Sequence, residues 1–175
     1  MTGFKKEYLQ VFGLMMPLEE LLITNYSGIM FPDWLGHPSF SKLVILTLRS
    51  SRWRKVLPSL GRLPVLEELC IDDMHELKII NHDFCGSAPS GAIQGFPSLT
   101  KLRFHDMLEW VTWEGLNAMD MPRLQHLMIE ECRQLKTIPS LQYLTSLENL
   151  EFSQCPAPLP MQLLLDSLGS LIINE

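Results

Sequence analysis

Apolar side chains stand at Cys132, Leu135, Ile138, Leu141, Leu144, Leu147 and Leu150, one residue in three along the segment 132–150. Neither common element has that period. On a helix, at about 100° per residue, steps of three carry successive side chains around the whole cylinder, and on a strand of period two they alternate between faces. The spacing therefore predicts an arc of irregular or 3-10-like backbone, about three residues per turn, that turns one residue in three inward.

Between such arcs a second pattern recurs. L-x-x-L-x-[LIF] stands at Leu18/Leu21/Ile23, Leu43/Leu46/Leu48, Leu66/Leu69/Ile71, Leu99/Leu102/Phe104, Leu124/Leu127/Ile129, Leu147/Leu150/Phe152 and Leu168/Leu171/Ile173. First leucines are separated by 25, 23, 33, 25, 23 and 21 residues, mostly the 20–29-residue period of leucine-rich repeats. Each unit predicts a short strand with two side chains pointing inward, followed by an arc. A single unit cannot bury its own apolar edge, whereas stacked coils bury it in one continuous core.

The expected fold is an α/β or mainly β repeat. It is a leucine-rich-repeat solenoid, a curved horseshoe with a parallel β-sheet on the concave side and irregular or 3-10 arcs on the convex side. About seven repeats are expected over 18–175, with strands near 20–24, 45–49, 68–72, 101–105, 126–130, 149–153 and 170–174, and 1–17 forming a partial repeat or incomplete N-terminal flank. The segment 81–97, rich in glycine, serine and proline, lengthens the third interval and is read as an inserted loop. In the arcs, Met74/Leu77/Ile80 and Met107/Trp110/Trp113 keep the step of three, so the two indoles are expected to fill the convex core. The second copy, Ser51/Arg54/Leu57, keeps only its far end apolar.

Composition narrows the function classes. With 175 residues, 46% hydrophobic and 19% charged, the chain has material for a sizeable core, and its net charge of −6 argues against a dedicated nucleic-acid binder. The apolar run at 8–18 is too short to span a bilayer and contains Pro17, and Glu7 interrupts the resemblance of the first residues to a signal peptide. Cys70, Cys85, Cys132 and Cys155 show no C-x-x-C pairing. Reduced thiols in a cytosolic or nuclear compartment are the expectation, with Cys132 and Cys155 stacked in adjacent coils.

Catalytic chemistry finds little support. His75-Glu76 begins an H-E-x-x-H motif, but Ile79 stands where the second histidine is required. His75, His82, Asp83 and Cys85 lack a regular ligand spacing and are read as loop polarity. Glycine-rich nucleotide fingerprints and the G-x-S-x-G elbow are missing from the sequence. No catalytic residue, cofactor or metal ligand is assigned, and an enzyme is not expected.

Three stretches add a closer resemblance. Phe31, Pro32, Trp34 and Leu35 form F-P-x-W-L, Leu57 to Pro64 form L-P-x-L-G-x-L-P, and Met107, Trp110 and Trp113 form M-x-x-W-x-x-W. Over roughly residues 17–160 the chain resembles the leucine-rich-repeat region of plant nucleotide-binding, leucine-rich-repeat disease resistance proteins of the coiled-coil class. That resemblance implies a non-enzymatic module that senses a pathogen effector or a modified host protein and restrains the receptor's own signalling domains. It also implies a fragment, because the G-x-x-x-x-G-K-[ST] phosphate loop of such receptors is not in this sequence. A leucine-rich-repeat scaffold, such as the substrate-binding part of a ubiquitin ligase adaptor, is the alternative.

Strand alternation locates the expected binding face. If Leu102 and Phe104 point inward, Lys101, Arg103 and His105 point to the open side. Extending this alternation gives a protein-binding candidate surface of Arg49, Asp72, Lys101, Arg103, His105, His126, Met128, Glu130 and Glu151. Neighbouring strands about 4.8 Å apart should set Glu68 beside Lys101 and Arg49 beside Asp72.

Overall fold

The computed structural model of the chain describes residues 17–28, 30–51, 55–86, 95–156 and 170–174. Seven five-residue strands build one parallel sheet: β1 (Glu20–Thr24), β2 (Ile45–Arg49), β3 (Glu68–Asp72), β5 (Lys101–His105), β7 (His126–Glu130), β8 (Asn149–Ser153) and β9 (Ser170–Asn174). They follow one another in chain order, each pairing in register with the next. The two-residue strands β4 (Ile79–Ile80) and β6 (Thr112–Trp113) pair separately on the arc side. This is the mainly β form of a leucine-rich-repeat solenoid.

Register converts the repeat into a core. Leu46, Leu69, Leu102, Leu127 and Leu150 stack as one buried row, and Leu48, Ile71, Phe104, Ile129 and Phe152 as a second. The step-of-three residues of the arcs close the other side: Met74, Leu77 and Ile80, then Met107, Trp110 and Trp113, then Cys132, Leu135 and Ile138, all buried. Arc backbones also bond coil to coil, with Val111 N donating to Lys78 O and Lys136 N to Val111 O, each at 2.9 Å. Short 3-10 turns at Asp33–Gly36 and Leu141–Tyr143 supply part of the arc curvature.

Each strand ends at a sharp corner. Asn25, Ser50, Asp73, Asp106, Glu131 and Gln154, the residues directly after six of the strands, all have φ between 50° and 55°. In this left-handed conformation each amide points to the neighbouring coil; Asp73 N, for example, donates to His105 O at 3.1 Å. A row of backbone bonds thus continues the sheet past its strands.

The segment read as a loop differs from that expectation at its margins. His82–Cys85 form a single helical turn, capped by the Asn81 side chain, which accepts from Asp83 N, and closed by Gly86 at φ 67°. Phe84 and Phe96 are buried 5.0 Å apart by ring centroid, and Phe84 O accepts from Leu60 N and Gly61 N. The glycine and serine content concealed two aromatic anchors that earn core positions. Residues 87–94 of the segment lie outside the described residues, as do 1–16 of the expected N-terminal flank.

The inward position directly after the β2 corner is polar. Ser51 takes the place that Met74, Met107 and Cys132 fill in other coils, and its hydroxyl is buried without a hydrogen-bond partner among the described residues. Ser51→Ala is therefore expected to raise stability by about 1 kcal/mol, because a buried unsatisfied hydroxyl costs roughly that or more. Urea denaturation of both forms checks it through a higher midpoint at unchanged slope.

Candidate functional site

Alternation along each strand leaves its first, third and fifth side chains on the open face. In β5, Leu102 and Phe104 are fully buried while Lys101, Arg103 and His105 reach solvent. In-register pairing then sets chemically unlike side chains from separate repeats next to one another.

Lys101 Nζ donates to Glu68 Oε1 at 2.6 Å, and Arg49 Nε meets Asp72 Oδ2 at 2.9 Å. The other oxygen of Asp72 lies 2.9 Å from His105 Nδ1, whose Nε2 faces Glu131 at 3.4 Å. Burial works against a charged His105 ring, but the hydrogen bond and charge of Asp72, with Glu131 behind it, outweigh burial and raise its pKa. Arg103 Nε donates to Glu130 Oε2. Its charge also opposes the effect of burial on the neighbouring Cys70 thiol, whose pKa is nevertheless raised.

The remaining candidates lie towards β8. The His126 ring and the Asn149 side chain stand 3.0 Å apart, and Met128 pairs in register between Arg103 and Glu151. The structure thus places Arg49, Asp72 and His105 in one chain of charges, Lys101 with Glu68 and Arg103 with Glu130 in separate pairs, and sets His126, Met128 and Glu151 alongside. Such cross-strand pairs contribute about 0.2–1 kcal/mol each. The long side chains in these pairs remain substantially exposed, Arg49 at 60% and Lys101 at 48%. Leu22 and Ile172 add exposed apolar side chains to the same central column, at β1 and β9.

The grouping around His75 escaped the sequence reading, whereas the stacking of Cys132 on Cys155 in adjacent coils was expected. His75 and His82 belong to different groupings: His82 Nε2 is 3.3 Å from Asp83, while His75 sits with Asp73 and Asp106. Their separation follows from the arc, which carries His82 onto the helical turn. Cys132 is buried and Cys155 half-buried, and Cys132 N donates to the Cys155 sulfur at 3.3 Å. The hydrogen bond between the thiols, together with burial, holds Cys132 protonated with a raised pKa. Among the described residues no helix is long and apolar enough to cross a membrane.

Comparison with known proteins follows the same line. Residues 5–74 match the family described as R13L1/DRL21 LRRs. Disease resistance RPP13-like protein 1 of Arabidopsis thaliana is 37% identical over 156 residues, covering 83% of this chain and 15% of its own length. Disease resistance protein RGA2 of Solanum bulbocastanum is 28% identical over 155 residues, covering 82% of this chain and 16% of its own. The chain spans about a sixth of the length of these relatives. No solved structure matches it. Repeat pattern, fold and relatives converge: the chain is a leucine-rich-repeat solenoid of the kind found in plant disease resistance proteins.

Proposed function

We propose that the open face of the sheet is a protein-recognition surface, and that the chain serves as the effector-sensing and autoinhibitory repeat region of an intracellular, nucleotide-binding plant immune receptor. The reading is non-enzymatic and places the protein in the cytoplasm, with access to the nucleus. Its partner is a pathogen effector, a host protein or the receptor's own signalling domains. The observation that carries it is the set of cross-strand charge pairs on β2, β3, β5 and β7, with Met128 beside Arg103, on strands whose other side is core. Such a face can change its exposed residues without disturbing the repeat, as a recognition surface requires.

Triple charge reversal, Lys101→Glu with Arg103→Glu and His105→Glu, tests the reading in the full-length receptor. Binding to a verified partner is expected to weaken by at least about 2 kcal/mol, the scale of a binding hot spot. The circular dichroism spectrum of the isolated chain should be retained. Unchanged affinity in isothermal titration would remove this face from the proposal.

A further inference from the structure

Asp73, His75 and Asp106 converge at the corners that follow β3 and β5, on two neighbouring coils. Nε2 of His75 lies 2.7 Å from Asp73 Oδ1 and 3.3 Å from Asp106 Oδ2. One potential ligand atom from each residue lies within 4.8 Å of those of the others. Two carboxylates from neighbouring coils thus converge on a single ring nitrogen. The corner geometry fixes both acids: Asp73 and Asp106 have φ of 54° and 50°, and their amides are bonded to the next coil.

We infer that these three side chains form a binding site for one divalent transition-metal ion of the zinc and cobalt class. Zinc–nitrogen and zinc–oxygen bonds of about 2.0–2.2 Å in a tetrahedron place ligand atoms about 3.4 Å apart. His75 and Asp106 already stand at 3.3 Å, and Asp73 needs to retreat by about 0.7 Å to reach the tetrahedral separation. The imidazole nitrogen favours zinc, cobalt or nickel over magnesium and calcium, which prefer all-oxygen sets. Two carboxylates and a neutral imidazole balance the ion's charge.

Access and consequence follow from burial. The side chains of Asp73, His75 and Asp106 are 11%, 27% and 31% exposed, so an ion enters from solvent and keeps open positions there. Its protein ligands come from both coils, so the ion pins the third repeat to the fourth at the sheet's rim. Binding to the folded state alone then stabilises the stack by linkage.

The test uses the full 175-residue chain, stripped with a chelator and titrated with cobalt, then zinc. One equivalent of cobalt is expected to develop visible d–d absorption, which zinc removes and magnesium leaves unchanged, while zinc raises the melting temperature. His75→Gln and Asp106→Asn should each weaken binding by at least about tenfold, since even outer-shell partners of a metal cost 10–100-fold. Each should also abolish the thermal shift, whereas His82→Gln should change neither. His75→Gln carries the test if Asp106→Asn does not fold, because it leaves both corner residues intact. No cobalt absorption in the stripped chain, or an unchanged spectrum in folded His75→Gln, would overturn the inference and leave a purely hydrogen-bonded histidine.

Discussion

Trp110→Ala is expected to destabilise the solenoid by about 3–5 kcal/mol, the range for removing a large aromatic from a core. The indole is fully buried, its ring centroid 4.7 Å from that of Phe104 and 6.3 Å from that of Trp113. Its Nε1 donates to Thr112 O at 2.9 Å, an arrangement lost with the side chain. The surrounding arcs are bonded coil to coil and cannot collapse freely onto the space left behind. For a chain of this size the melting temperature should fall by roughly 10 °C. A fall below about 3 °C, under 2 kcal/mol, would mean that the convex side packs loosely and the indole is not a keystone.

Gly61→Ala is the second substitution with a large expected cost. A Cβ at Gly61 would stand 1.7 Å from Cys85 O, and one at Gly36 would stand 1.6 Å from Ser59 O. These are backbone atoms of the next coil, which cannot swing aside as a flexible side-chain tip can. The glycine of L-P-x-L-G-x-L-P is thus a spacing element that sets how closely the convex backbones stack. Forcing them apart should cost about 3 kcal/mol, at the upper end of ordinary overpacking. Chemical denaturation gives the cost, and Arg62→Ala, on an exposed neighbouring residue, serves as the control. Equal midpoints for the two variants would show that the coil interface can shift without penalty.

Much of this architecture was legible because a repeat states its message several times. Leu102 and Phe104 alone suggest only an amphipathic strand, but equivalent pairs at every unit fix a common inward side and a parallel stack. Equal strands in register then place Glu68 beside Lys101 and Arg49 beside Asp72, as the ion pairs show. The turn His82–Cys85 was not legible, because four residues are too few to display a period. Phe84 and Phe96 join the core from within a segment whose composition suggests only a loop. Asp73 and Asp106 visibly share a repeat position, yet their approach to His75 depends on a left-handed corner that side-chain patterning does not encode.

In-register pairing, with every main strand bonded only to its neighbours in chain order, also determines how the molecule would respond to tension. Among the described residues no hydrogen bond ties distant coils together, so under a pull along the stack load passes through one interface at a time. Extension should therefore proceed as peeling, with force peaks that each release about one coil. From Leu43 to Leu66, 23 residues, such a step lengthens the chain by about 80 Å at full extension. The coil bearing Phe104, Trp110 and Trp113 would act as the mechanical clamp, the last to yield.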